Sequence, residues 1–316
     1  MHVFRRHRTP RPRLVPELDD VGLGKALKMI HSPPAFEGVL DIQIESIRHV
    51  IEEAGSDWDR RAHRFAVLAE SAIHSGLARA WRSSRPSSPD ALIFEAWVEL
   101  ARAQVAGRFR DPQVVVDNCY RASTLRPEDP TPWVLTLSVL RLTRGDYHDV
   151  SRIWHEVVTR DAWHREAHLQ MLRYLSPEEC GSQVRLLDFV DSACAAMPPY
   201  VPAVALELTA AVDHHHRIVA RGGIDALLAR QFWTYPRTTE LLNRVFRGWT
   251  GPAGLTHAAA LADLNTLSYA LVQASRLREA GKVFELIGGT VTAWPWNLEG
   301  NPVEAFIQRQ QRAVRP

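Results

Sequence analysis

A chain of 316 residues is long enough for two ordinary domains or for one elongated array whose core is distributed along its length. Its 46% hydrophobic and 23% charged residues are the balance of a folded globular protein, and a formal net charge of +2 supplies no global field for gathering polyanions. Three cysteines, Cys119, Cys180 and Cys194, are too few and too scattered for a disulfide framework or a cysteine-rich zinc site, which fits a reducing, cytoplasmic setting.

Residues 1–15 are rich in Arg and Pro, which disfavours helix and leaves little apolar surface to offset the entropy of ordering. They are read as a flexible basic arm, in which Arg5, Arg6, Arg8, Arg11 and Arg13 offer contacts to phosphates. No helix-turn-helix, zinc finger or stacking platform accompanies the arm, so nucleic-acid or anionic-surface association is only an alternative. No apolar stretch follows it of the kind a secretion signal requires, and no window approaches the roughly 18 apolar residues of a membrane span. Lys occurs only at Lys25, Lys28 and Lys282, and the excess of Arg over Lys is read as codon bias rather than as a phosphate-binding signal. Gly22-Leu23-Gly24-Lys25 lacks the spacing, the following Ser or Thr and the preceding strand of a nucleotide loop.

From about Pro16 onward the pattern is helical, with short Pro, Gly, Ser and Asp punctuation and no strand-type alternation. Asp57 is placed to cap a helix from Trp58 to Ser71, Ser88-Pro89 to open one over Asp90–Val105, and Asp111-Pro112 to open Gln113–Leu125. In each an Asp or Ser oxygen meets orphan N–H groups of the first turn, and in the last two Pro occupies a position that needs no donor. Further helices are predicted over 131–143, 147–159, 162–174, 182–196, 202–220 and 238–248, then over 256–275, 278–287 and 302–313. Short links between so many helices point to helix pairs in series.

Internal repeats sharpen this. Trp133, Leu137 and Leu140 lead into Gly145 and Tyr147, and Val150, Trp154 and Val157 follow at helical spacing. A second copy runs through Leu264, Leu267, Ser268, Leu271, Leu277, Ala280, Phe284 and Ile287, and a weaker third ends at Val115, Cys119, Ala122 and Pro127. The pattern resembles the tetratricopeptide repeat, a helix pair of about 34 residues. The resemblance implies an all-α, right-handed solenoid of antiparallel helix pairs, irregular between about 176 and 250 where no repeat can be placed. The array is expected over 16–297, followed at 298–316 by a capping helix and tail. It further implies a protein- or peptide-binding adaptor whose concave groove is lined by Ser138, Arg141, Asn265, Tyr269 and Gln273. No cofactor and no catalytic residue follow from it. The stretch His164-Arg165-Glu166-Ala167-His168 with Cys180-Gly181-Ser182 is also similar to a family of uncharacterised bacterial helical proteins, although the Trp that precedes Gly-Ser there is missing here. No activity comes with that similarity.

Two histidine groups invite a chemical reading. His164 and His168, four apart on an expected helix, would project from one face as two ligands of a divalent metal, the basis of an alternative reading as a metal protein or enzyme. A third ligand is not apparent, and Glu166 points elsewhere. In Asp213-His214-His215-His216 successive side chains are turned by about 100°, so one ion can be reached by two histidines at most. Trp97, Trp133 and Trp154 are expected in the core, and Trp294-Pro295-Trp296 is expected to pack as a C-terminal cap. No Gly-x-Ser-x-Gly elbow or cysteine–histidine pattern supports covalent catalysis, and enzymatic activity is left unassigned.

Overall fold

The computed structural model describes residues 11–32 and 38–314. These are helical almost throughout, and the chain divides into two compact units, Asp19–Leu206 and, discontinuously, the residues up to Leu18 with those from Glu207 onward. The single array expected over 16–297 thus separates at 206/207.

The Asp19–Leu206 unit holds α1 (Val21–His31), α2 (Val39–Glu53), α3 (Trp58–Ala72), α4 (Leu77–Ser84), α5 (Pro89–Ala106), α6 (Pro112–Leu125), α7 (Thr131–Leu142), α8 (Tyr147–Val158), α9 (Arg165–Tyr174) and α10 (Gln183–Ala196). The expected caps are present: Asp57 accepts from the Arg60 N–H at 3.0 Å, Ser88 from Ala91 at 3.3 Å and Asp111 from Gln113 at 3.0 Å. Helices α5 and α7 carry almost no polar face. Their side chains from Asp90 to Ala103 and from Thr131 to Val139 are nearly all buried, which only an interior position allows. Helices α6 and α8 bury one stripe each, Val115, Cys119 and Ala122 in α6 and Val150, Ile153 and Val157 in α8, at spacings of three and four. Helix α5 packs on α3 and α7, α9 packs on α7, and α9 also touches α3, so these four surround a common interior. One end of that interior is closed by ions rather than hydrocarbon. Arg61, 2% exposed, pairs with Asp90 and, at 3.3 Å, with Asp129, while Arg126 reaches Asp90 at 2.7 Å.

The other unit holds β1 (Arg13–Leu14), α11 (Leu206–Arg221), α12 (Gly223–Leu228), α13 (Pro236–Trp249), α14 (Ala260–Gln273), α15 (Leu277–Ile287), β2 (Thr290–Val291) and α16 (Pro302–Val314). The strands β1 and β2 pair in parallel, with the Arg13 N–H on Gly289 O at 3.1 Å and the Val15 N–H on Val291 O at 3.0 Å. The last residues of the expected arm are therefore tied down, while its first ten lie outside the described residues. Helices α14, α15 and α16 surround Trp296, which is fully buried against Tyr269, Phe284 and Phe306. Trp296 thus packs as a cap, as expected of the Trp294-Pro295-Trp296 segment. Among the described residues no helix is long and apolar enough to cross a membrane.

Candidate ligand-binding cleft

Four of the five residues expected to line a groove, Ser138, Arg141, Asn265 and Tyr269, do not face solvent. Ser138 is fully buried and donates its hydroxyl to Val134 O at 2.9 Å. Arg141, on the interior side of α7, donates to Gln170 Oε1 at 2.6 Å and pairs with Glu179. Asn265 is buried, with its amide donating to Leu261 O and Thr290 O and its carbonyl accepting from Trp296 Nε1 at 2.8 Å. Tyr269 lies against Trp296, and Gln273 is half-buried and donates to Glu299 at 2.6 Å. The first two residues belong to one unit and the other three to the other. The groove assignment for Ser138, Arg141, Asn265 and Tyr269 is thus corrected. Where helices enclose an interior, the face read as concave is a core whose polar atoms must be satisfied internally.

The histidine pair is corrected as well. His164 is the N-cap of α9 rather than part of it, and its Nδ1 accepts the Ala167 N–H at 3.4 Å. His168 Nδ1 lies 3.0 Å from His164 O, and its ring is stacked on Trp163 at 5.6 Å and edge-on to Trp154 at 4.9 Å. Both rings are buried, and desolvation holds both pKa values below the usual imidazole range. They act as cap and core rather than as a ligand pair. His215 in α11 is similar, packed on Phe232 and Trp233 with burial and its two histidine neighbours pushing it down to about 4. Among the described residues, one group of ligand-type side chains comes within 4.8 Å, Asp146, His148 and Asp149 at the start of α8. Asp146 is already occupied there, capping the Asp149 N–H.

His63 on α3 is the further titratable group. Burial, reinforced by the Arg165 cation and opposed by Asp20 and Asp19, lowers it to about 4. A histidine whose folded pKa lies below its unfolded value near 6.5 contributes stability that is complete above about 6.5 and is lost as pH falls toward 4. Thermal unfolding from pH 7.5 to 4.5 should show a falling midpoint below pH 6.5, with His63 supplying about 3 kcal/mol across that window. An H63Q variant should make the profile shallower while His164, His168 and His215 keep their share, and an unchanged slope would remove His63 as one of its sources.

A solvent-open recess lies at the packed pair α4 and α5. It has a volume of about 380 Å³ and is lined by Arg79 from α4, by Glu99, Arg102, Ala103 and Ala106 from α5, and by the loop residues Arg108 and Arg110. A smaller recess of about 200 Å³ adjoins it, sharing Arg79, Glu99 and Arg102 and adding Ser75, Gly76, Ala78 and Glu95. Arg102 is spoken for: it donates to Ile73 O at 2.7 Å and Ser75 O at 3.4 Å and pairs with Glu99. Glu95 accepts from Asn118 at 3.1 Å and lies 3.7 Å from Arg82. Arg79, Arg108 and Arg110 are exposed and have no hydrogen bond or ion pair within the chain among the described residues. Phe109 between the last two packs against the hydrophobic core, which anchors the loop and leaves its neighbours at the surface. Asp111, next to Arg110, is turned to its own helix as cap. Three guanidinium groups therefore converge on one recess with their charge uncompensated. A comparable recess of about 330 Å³ beside Trp58 and Gly55 differs in this respect, because its Arg61, Asp90 and Arg126 satisfy one another.

The sequence offered little signal for this cleft. Arg108 and Arg110 flank an apolar residue just after Gly107, in the loop between α5 and α6, and Arg79 and Arg102 join them through packing alone. No protein-family model matches the chain, no curated protein is significantly similar to it, and no solved structure matches its fold.

Proposed function

We propose that the chain is a binding scaffold for a partner protein or peptide, built from antiparallel helix pairs that resemble tetratricopeptide repeats and using an outer cleft rather than an inner groove. The observation that carries this reading is the recess at α4 and α5, where Arg79, Arg108 and Arg110 have no partner among the described residues. A charged side chain without an internal partner has its full bonding capacity available to a ligand, and Arg is the residue best suited to bidentate recognition. The buried ionisable groups support a binding role over catalysis. Arg61, Arg141 and His164 are all engaged in pairs or caps, and Arg61 is so engaged even where it lines the recess beside Trp58.

The test is a photo-cross-linking amino acid at position 106, an exposed site lining the recess. The expected result is a defined adduct with a partner in cell extract that disappears in the R79E/R108E double variant. An adduct that survives the charge reversal would sink the assignment to this cleft.

A further inference from the structure

We propose that the cleft at α4 and α5 takes an acidic peptide segment, with two or three carboxylates seated on Arg79, Arg108 and Arg110 and an uncharged stretch continuing over Ala78 and Gly76. The proposal rests on the scaffold reading and adds the chemistry of the partner.

Charge is distributed unevenly along the two adjoining recesses. At the larger one the guanidinium groups of Arg79, Arg108 and Arg110 are uncompensated, whereas Glu99 is matched by Arg102. At the smaller one Glu95 is held by Arg82 and Asn118, and Arg102 by Glu99 and two carbonyls, so that among the described residues Arg79, shared with the larger recess, is its one unmatched charge beside Ser75, Gly76 and Ala78. A ligand spanning both therefore meets Arg108 and Arg110 at one end and Arg79 where the two recesses join, with no unmatched cation beyond Arg79, so its negative charge belongs at the first end. The small side chains of Ala78, Ala103 and Ala106 leave the floor shallow and apolar, suited to a peptide backbone with small side chains.

The same unevenness weighs against a nucleic acid. A polyanionic backbone needs a continuing basic track, and here Arg102 and Arg82 are taken up by Glu99 and Glu95, so the phosphates that follow the first few meet no free cation. Among the described residues no aromatic ring lines either recess to stack a base. Carboxylates on alternate residues of an extended peptide lie about 7 Å apart on one side of the chain, a spacing that separate arginine side chains can each meet.

The experiment uses the full chain and a fluorescein-labelled peptide with glutamate at three alternate positions separated by serine, followed by alternating serine and alanine, read by fluorescence anisotropy at low and moderate salt. Binding is expected that weakens with salt, and by at least about tenfold when the glutamates are replaced by glutamine or the protein carries R108A/R110A. Arg108 and Arg110 are exposed and make no bonds among the described residues, so the double variant should keep its circular dichroism spectrum and melting midpoint. No binding of the glutamate peptide, equal binding of the glutamine peptide, or unchanged binding by R108A/R110A would each overturn the proposal. So would tighter binding of inorganic pyrophosphate or of a short single-stranded RNA, which would reassign the cleft to phosphate. If the peptide fails while the position-106 adduct persists and still requires Arg79 and Arg108, the scaffold reading stands and only the acidic class falls. If both fail, the cleft is not a binding site.

Discussion

Replacing Arg61 with Met is expected to destabilise the Asp19–Leu206 unit by about 3–5 kcal/mol, although Met fills much of the same volume. The cost arises from what remains. Asp129 is fully buried and Asp90 almost so, and Arg61 is the guanidinium that reaches both from within the core, donating also to Ile51 O at 3.2 Å. Without it, two carboxylates share Arg126, which is only partly buried. Asp129 cannot turn away, because its other oxygen accepts the Thr131 N–H at 2.8 Å at the start of α7. The guanidinium also lies 5.2 Å from the Phe65 ring centre, a contact that Met replaces with ordinary packing. Urea unfolding read by tryptophan fluorescence measures the loss, and R61M/D90N should recover a substantial part of it by removing the carboxylate left uncompensated. If R61M unfolds as the wild type does, the cluster is not a structural linchpin.

Arg61 also shows why composition misleads here. The excess of Arg over Lys reads from sequence as codon bias, yet Arg61 serves α2, α5 and the α6–α7 connection with three separate donors, and Arg64 similarly binds Asp20 at 2.7 Å and the Val50 carbonyl. A single ammonium cannot reproduce that planar fork. The helices themselves were legible where local chemistry dictates them: Asp57, Ser88 and Asp111 cap as their side chains require, and the apolar stripe of α6 falls on the expected face, whereas in α8 Ile153 joins Val150 and Val157 in the interior and Trp154, expected in the core, is half-buried. Helices α1, α2 and α4 were not delimited. Gly22 and Gly24 disguise the first turn of α1, which Asp20 caps, and α4 is short and Arg- and Ser-rich, held chiefly by Leu77, Ala78 and Trp81. The candidate site was the least legible part. Which face of a helix is solvent and which is interior depends on whether α9 comes back to α3, a contact between residues about 100 apart that no local period encodes. That one contact turns Ser138 and Arg141 from groove residues into core, and the unpaired arginines become visible only once each internal partner is known.

Trp296→Ala is expected to be comparably damaging in the other unit, at about 3–5 kcal/mol for the lost ring. The indole is fully buried among Tyr269, Phe284 and Phe306, with ring centres 5.3–6.0 Å away, so neighbours on α14, α15 and α16 lose contact together. Its N–H donates to Asn265 Oδ1, and that acceptor would be left buried without its partner. Trp296→Phe separates the two terms: most of the packing stays, the hydrogen bond goes, and the expected cost falls to about 1–2 kcal/mol. The damage should also reach the β1–β2 pairing. Asn265 holds the Thr290 carbonyl at 3.0 Å, and Thr290 and Val291 form the strand on which Arg13 and Leu14 are paired. Hydrogen exchange at the Val15 amide, which donates to Val291 O, should therefore quicken in W296A more than in W296F. Equal exchange in the two variants would mean that the pairing is held independently of Trp296, and that the C-terminal tryptophan stabilises the helices without fixing the strand that joins the two ends of this unit.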